Sequence, residues 1–544
     1  MNLDHRENRG ATIVSSKLEE KVCRGIIEEL LTSLPDVDPQ FIQKLKKRFA
    51  KKNPSVGIVS NATILSYTAP AEKTLLLPIL KTKSMRTISG IAVVAVMVKP
   101  YPCPNQSCIY CPTFSEVPKS YTGHEPSTMR GIQNNYNPYL QVKTRLTQLE
   151  LIGHATDKIL LSLKGGTVTY LPYEYQLSFV HRCLEALCDE RYSDFAELKR
   201  AVESAQRKLV GIIVETRPDY SKISQTDDML HLGVTTVELG VQTIFDEVFE
   251  ICKRGHTVQD VIDATRILKD AGMKVAYHIM PGLPGSNEER DLIMFQEIFE
   301  NPFYKPDNLK IYPCLVIKGT ELYELWQSGR YKPYNAETMT NLLSHVLPKI
   351  PRWVRIQRIQ RDISAKMIED GVKKGNLREL AHEELSKSGI TCSCIRCREQ
   401  GIVYRKSGIT PKLENLEILI DTFNASEGIE NFISYEDTVQ NILLGFIRLR
   451  VPSEKAHRKE INEIRTTIVR ELRVFGELVP IGEKPSHHQV QHRKIGELLL
   501  SEAELLSTEE YDAKKISVLS GLGVKPWFYK QGYTRDGVYV SKRL

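Results

Sequence analysis

The chain has 544 residues, of which 41% are apolar and 26% charged, the balance of a globular protein long enough for several cored domains. The longest apolar run, 91–98, is far short of the roughly 20 residues a membrane span needs, and the first ten residues are too polar for a secretion signal; a soluble, cytoplasmic protein with no membrane partner is expected. The net charge of +7 hints at a polyanionic partner, and eleven cysteines without a secretion signal argue against a disulfide framework.

Most of the net charge arises early, because residues 1–86 hold 15 Lys/Arg against 9 Asp/Glu. Within them, 44–52 carries six basic residues in nine, with Phe41, Leu45 and Phe49 four apart. That spacing predicts a helix with an apolar stripe and a basic face, either simply solvated or touching phosphates. From residue 87, apolar runs at 88–98, 159–163, 209–214, 234–239, 273–280 and 309–316 alternate with amphipathic stretches such as 176–188 and 258–270. Six such units predict a parallel α/β sheet or partial (β/α)6 barrel, whose chemistry sits at the C-terminal ends of the strands. Residues 351–400 read as an Arg/Lys-rich connector ending in cysteines. Beyond it, closely spaced strands at 416–420, 432–435, 443–451 and 466–475, a helix within 491–506 and a strand at 516–519 predict an α+β domain.

Cys103, Cys108 and Cys111 follow the first barrel strand with four and two residues between them. Iron–sulfur clusters normally take four cysteines, so three with no near fourth suggest a cluster with one open iron; a zinc site completed by a distant residue is the alternative. Further polar or flexible groups fall at successive strand ends: Gly165, Gly166 and Thr167, then Glu215, then Gln242. Paired glycines let a ligand approach the backbone.

The order of the three cysteines, Gly165-Gly166-Thr167, Glu215-Thr216-Arg217-Pro218-Asp219, Glu238-Leu239-Gly240-Val241-Gln242 and Arg254-Gly255-His256-Thr257 resembles the radical S-adenosylmethionine (SAM) domain of the Elongator catalytic subunit family. Tyr121-Thr122-Gly123, Glu125-Pro126 and Arg361-Asp362-Ile363 match as well. One departure stands out: Cys111 is followed by Pro112-Thr113-Phe114, where family members carry Pro-Gly-Gly. The resemblance implies a [4Fe–4S] cluster on Cys103, Cys108 and Cys111, with SAM contacted by Gly165, Gly166, Thr167, Glu215 and Gln242.

Near the C-terminus, Gln491-His492-Arg493-Lys494-Ile495-Gly496-Glu497 opens a predicted helix, whose free N–H groups suit a diphosphate. It resembles the pyrophosphate loop of the GNAT N-acetyltransferase fold, Gln-x-x-Gly-x-Gly, with Lys494 in place of the first glycine. Glu471, Leu472, Arg473 and Val474 match the strand whose edge pairs with the pantetheine arm, and Trp527-Phe528 replaces a tyrosine pair. The resemblance therefore implies acetyl-CoA binding by Gln491, Arg493, Ile495, Gly496, Glu497, Phe528 and the 471–474 edge. It also implies that Lys158, otherwise a plain surface lysine, faces the acetyl group as a catalytic residue.

Cys392, Cys394 and Cys397 lie within six residues and read as a metal site, completed by His382 if the ion is a structural zinc; a second iron–sulfur cluster is the lesser alternative.

The expected architecture is thus a basic helical tRNA-binding region (1–86), a radical SAM partial barrel (87–375), a cysteine-rich linker (376–400) and a GNAT domain (401–544). The activity the resemblance implies is a tRNA acyltransferase that uses acetyl-CoA and a SAM-derived 5′-deoxyadenosyl radical to place a carboxymethyl group on C5 of the wobble uridine, position 34. Its partners would be the tRNA anticodon stem-loop, acetyl-CoA, an external reductant, and either a second copy or Elongator-like subunits. Lys44, Lys46, Lys47, Arg48, Lys51, Lys52, Lys81, Lys83 and Arg86 form the expected tRNA surface. The rival readings are a protein lysine acetyltransferase on a radical SAM scaffold, and a non-enzymatic tRNA-binding module.

Overall fold

A computed structural model of the chain describes residues 7–80, 90–105, 107–476 and 494–544. Contacts divide it into two compact units, Met1–Ala92 with Lys143–Asp157, and Val93–Val142 with Lys158–Leu544.

The first unit is helical: α1 (Glu7–Thr32), α2 (Pro39–Lys52), α3 (Asn61–Ser66) and α4 (Pro70–Leu80). Asp38 caps α2, its carboxylate accepting the Phe41 N–H at 2.6 Å, and Pro39 sits where a missing N–H costs nothing. Ile42 and Leu45 on α2 pack against Val22, Ile26, Ile27 and Leu30 of α1. Lys44, Lys47, Arg48, Lys51 and Lys52 are left exposed, with Arg48 ion-paired to Glu29. Lys46 corrects the expected basic face. One residue beyond Leu45 and four beyond Ile42, it turns inward, and its Nζ donates to Asn61 Oδ1 at 3.0 Å. Lys81, Lys83 and Arg86 lie outside the described residues.

The second unit carries two large sheets. The first uses β1 (Ile91–Met97), β2 (Lys158–Lys164), β3 (Lys208–Thr216), β4 (Thr236–Gln242), β5 (Lys274–Ile279) and β6 (Asn308–Ile311), then skips β7 (Val316–Ile317) to end on β8 (Arg355–Ile359). From β2 to β8 each strand pairs parallel with the next, and helices such as Val258–Asp270 make the crossovers. The sheet curls into a half-barrel of seven strands, one more than expected. The extra strand, β8, lies in the stretch read as a connector; its Arg-Ile-Gln-Arg-Ile sequence buries only the isoleucines fully, as an edge strand allows. The run 309–316 also breaks in two. Pro313 restricts Tyr312 and lacks an N–H, so β6 ends at Ile311 and β7 pairs instead with β9 (Ile368–Asp370).

The second sheet has the order β10 (Leu416–Ala425), β11 (Gly428–Asp437), β12 (Ile442–Val451), β13 (Thr466–Val474), β14 (Lys515–Val518), then β16 (Tyr539–Arg543) and β15 (Thr534–Asp536). The first four strands are antiparallel; β13 and β14 are parallel, joined through the helix Ile495–Glu509, which packs on Ile433, Ile447 and Val469.

The second sheet meets the half-barrel at the N-terminal ends of its strands through buried ion pairs. A bulge in β13 inserts Arg470, whose guanidinium grips Asp307 at 2.6 and 2.8 Å and Glu430 at 2.7 Å. Arg450 reaches Asp270 at 2.7 Å and Glu430 at 3.1 Å. All five side chains are at most 3% exposed.

Candidate active site

The opposite, C-terminal ends of β2–β8 surround a cavity of about 1170 Å³, part of it open to solvent. Cys103, Cys108 and Cys111 line it from the loop after β1. Asn105 Nδ2 donates to Cys108 Sγ at 3.3 Å and to the Lys253 carbonyl at 2.8 Å, which anchors that loop to the chain following β4. Arg254 is buried beside it, one nitrogen 3.7 Å from Cys108 Sγ and another donating to the Gly240 carbonyl at 2.6 Å. Burial pushes the free Cys111 thiol up to about 12, so holding a metal there displaces a tightly kept proton.

Gly166 and Thr167 line the wall above β2. Gly165 has φ +146°, and an added Cβ would fall 2.2 Å from Val98 Cγ2; Gly166 has φ +80° and backs onto the Lys119 carbonyl. Glu215, next to last in β3, accepts the Tyr121 hydroxyl at 2.6 Å. Gln242 ends β4 after a register shift against β5, at φ +72°, a left-handed conformation uncommon for a residue with a side chain. Its Oε1 is buried without a hydrogen-bond partner. Strain and an orphaned acceptor in one residue of a cavity wall fit a residue that holds a ligand.

Two lining residues, His278 and Lys310, and the buried carboxylate they surround escaped the sequence reading. Glu238, inside β4, is ion-paired to Lys164, and to Lys310 at 2.5 Å; His278 Nε2 lies 3.4 Å away without hydrogen-bond geometry. Burial holds the Lys310 ammonium down to about 8 despite Glu238, and holds His278 below its usual range, neutral at pH 7. The available signal was a charged residue inside each otherwise apolar strand, which no soluble core tolerates unpaired. Seven Lys/Arg residues line the cavity against three Asp/Glu, a surplus that suits an anionic occupant. Three thiol donors, a glycine wall and cationic surroundings fit an iron–sulfur cluster with a carboxylate-bearing ligand.

At the other end of the half-barrel, β14 accompanies β13 only as far as Val469, so the edge Glu471–Val474 has no strand partner on that side among the described residues. Gly496, in the first turn of the helix Ile495–Glu509, faces Trp527 and Leu472. The structure therefore brings together Leu472, Ile495, Gly496 and Trp527. Phe528 is buried in the core with Leu499 and Leu500. Glu471 accepts from Arg448 at 3.0 Å, and Arg473 lies 3.8 Å from it. Gln491 and Arg493 lie outside the described residues. Lys158 starts β2, six residues before Lys164 and so about 20 Å along the strand from the cavity.

The sulfurs of Cys392, Cys394 and Cys397 lie within 4.8 Å of one another, and His382 Nε2 is 3.7 Å from Cys397 Sγ. Cys394 is held well below the usual thiol range by hydrogen bonds from its two neighbours, as one metal-ready thiolate requires. Three sulfurs and an imidazole fit a closed tetrahedral site.

Residues 98–296 match the Radical SAM superfamily, 306–387 the Radical SAM C-terminal domain and 19–88 the ELP3 N-terminal domain. The chain is 48% identical over 533 residues to a Methanocaldococcus jannaschii protein named tRNA uridine(34) acetyltransferase, covering 96% of this chain and 98% of that one. It is 43% identical to Elongator complex protein 3 of Saccharomyces cerevisiae, over 96% of each. The chain belongs to the Elongator complex protein 3 (Elp3) family. A solved archaeal Elp3, that of Methanocaldococcus infernus lacking residues 1–46, superposes with a TM-score of 0.76 at 45% identity, over 84% of this chain and all of that one. Membership of the Elp3 family brings a radical SAM domain, which implies a [4Fe–4S] cluster and SAM. Among the described residues, no helix is long and apolar enough to cross a membrane.

Proposed function

We propose that this Elp3-family chain modifies the wobble uridine of tRNA, placing a carboxymethyl group on C5 with acetyl-CoA as the carbon source. The observation that carries the reading is the three-cysteine cavity at the strand ends, in a chain nearly half identical to a protein named for uridine 34. Cys103, Cys108 and Cys111 would hold the cluster, and Gly165, Gly166, Thr167, Glu215 and Gln242 would seat SAM. Bound there, the pair supplies a carbon-centred radical able to take hydrogen from an unactivated carbon. The protein's own part is to shape and neutralise the cavity. Arg254 offsets negative charge beside Cys108, Gln242 offers its unpaired carbonyl, and Lys164, Lys310 and Glu238 hold the floor rigid through ion pairs.

The C-terminal sheet, with β13 and β14 parting after Val469, supports a GNAT domain over 401–544 following a cysteine-rich linker at 376–400, the basic region at 1–86 and the radical SAM domain at 87–375. In that reading the free 471–474 edge pairs with pantetheine, Ile495, Gly496 and Glu497 with Gln491 and Arg493 take the diphosphate, Phe528 supports the pocket, and Lys158 serves the acetyl end. Cys392, Cys394, Cys397 and His382 hold a structural zinc. A cytoplasmic enzyme with an external reductant, acting alone, as a homodimer or with Elongator-like subunits, completes the proposal.

The test is anaerobic reconstitution with iron and sulfide, then incubation with dithionite, SAM, labelled acetyl-CoA and tRNA. Label in uridine that needs all four and disappears in Cys108→Ser supports the proposal. Label only in protein lysines, indifferent to SAM, would make the chain an acetyltransferase. No label in either overturns the enzymatic reading. Separately, replacing Lys44, Lys47, Lys51 and Lys52 by Ala is expected to weaken tRNA binding and flatten its salt dependence, each phosphate contact adding roughly 0.7–0.9 to the slope.

A further inference from the structure

Beside the cysteine cavity, three tyrosines from three successive loops form an edge-to-face array. Tyr101 precedes Cys103 by two residues, Tyr170 follows Thr167 by three, and Tyr220 follows Arg217 by three. The ring centroids of Tyr101 and Tyr170 are 6.1 Å apart at 71°, and those of Tyr170 and Tyr220 are 5.1 Å apart at 82°. The array is rigidly mounted, because Thr169 Oγ1 donates to the Tyr220 carbonyl at 2.7 Å. Tyr101 and Tyr170 are nevertheless 40% and 38% exposed. Two large rings lie open to solvent side by side next to the cavity, and each edge-to-face contact covers only one face of one ring.

Charge beside the array favours a polyanion. Lys99 is exposed two residues before Tyr101, over the Tyr175 ring at 5.1 Å, and the nearby Asp219 is already neutralised by the two-pronged grip of Arg217 at 2.8 and 2.9 Å. We propose that Tyr101 and Tyr170 are a stacking platform for unpaired nucleobases of an RNA loop, those flanking the nucleotide that enters the cavity, with Lys99 facing the backbone. This rests on the tRNA reading above and names the surface that presents the loop.

The experiment uses the full-length, cluster-free protein and an RNA stem-loop carrying 2-aminopurine next to the target uridine. With the wild-type chain, binding is expected to quench the fluorophore by stacking. Tyr101→Ala and Tyr170→Ala should each raise Kd roughly 5- to 150-fold and restore the fluorescence, since stacking on one aromatic is worth about 1–3 kcal/mol. Tyr101→Phe and Tyr170→Phe should behave as wild type. Unchanged Kd and quenching in both Ala variants overturn the platform while leaving the tRNA reading intact. Absence of any binding by the wild-type chain overturns the tRNA reading itself. Ala variants that bind RNA normally but, after reconstitution of the cluster, accept electrons from a flavodoxin-type protein more slowly than the wild type does, at an unchanged rate from dithionite, would assign the array to a protein electron donor and overturn the proposal.

Discussion

The two ends of the half-barrel sheet are built from the same strands and are chemically opposite. At the N-terminal ends, Arg450, Arg470, Asp270, Asp307 and Glu430 satisfy one another in full burial, and the second sheet is bolted down over them. At the C-terminal ends, charges are just as dense, yet Gln242 Oε1 and the Tyr110 hydroxyl are left without partners around an open cavity. Charge density alone therefore does not mark a site. An unpartnered group on a cavity wall is the sharper sign, because its cost of about 1–3 kcal/mol can be offset by a ligand that enters there.

Substitutions should separate the two ends. The largest effect is expected from Cys108→Ser. Iron bound after reconstitution should fall from about four per chain to almost none, while thermal unfolding of the metal-free protein stays nearly unchanged. Arg470→Ala should do the reverse. It strands Asp307 and Glu430 in the interior, which is expected to cost about 3–5 kcal/mol in denaturant unfolding, with iron loading of the folded protein preserved. Asp307→Ala combined with it should cost less than the two singly, the mark of a coupled pair.

A third test concerns the loop between β5 and the helix Glu288–Glu300. Burial lifts the Asp291 carboxyl to about 6, against the hydrogen bonds it accepts from Ser286, the Gly282 N–H and Tyr334. The folded chain therefore holds this proton more tightly than the unfolded chain does. The stability it contributes is fully present below about pH 4 and is lost as pH rises to about 6, by up to about 3 kcal/mol. Asp291→Asn should remove that decline from a stability-versus-pH curve. The smallest effect on stability is expected at Gln242→Gly. Relief of the left-handed strain should leave the unfolding temperature unchanged or slightly raised, while SAM affinity in equilibrium binding falls about tenfold.

The alternation of apolar runs and amphipathic helices made the half-barrel legible, and the tight spacing of the two cysteine clusters made both metal-ready loops legible. Local patterns were enough because each cluster lies within one loop. β8 was not legible, since Arg355, Gln357 and Arg358 hide its two buried isoleucines. Nor was Lys310, a wall residue whose partner Glu238 lies 72 positions away and whose role exists only once β4, β5 and β6 are side by side. The inward turn of Lys46 had the same origin: a basic run shows charge but not which way the helix rolls on its core.

Among the described residues, β1 and β8 are the two outer strands of the half-barrel, and no ladder joins them. What spans the gap on the cavity side is Arg361, just past β8, whose guanidinium donates to the Ser120 carbonyl at 2.5 Å in the loop that follows the cysteines. A closed barrel would share that task among several backbone pairs. Here a side chain makes that connection, a charged hydrogen bond worth about 1.5–3 kcal/mol. Parting of the two margins on the cavity side would thus break a side-chain contact and leave every strand ladder intact.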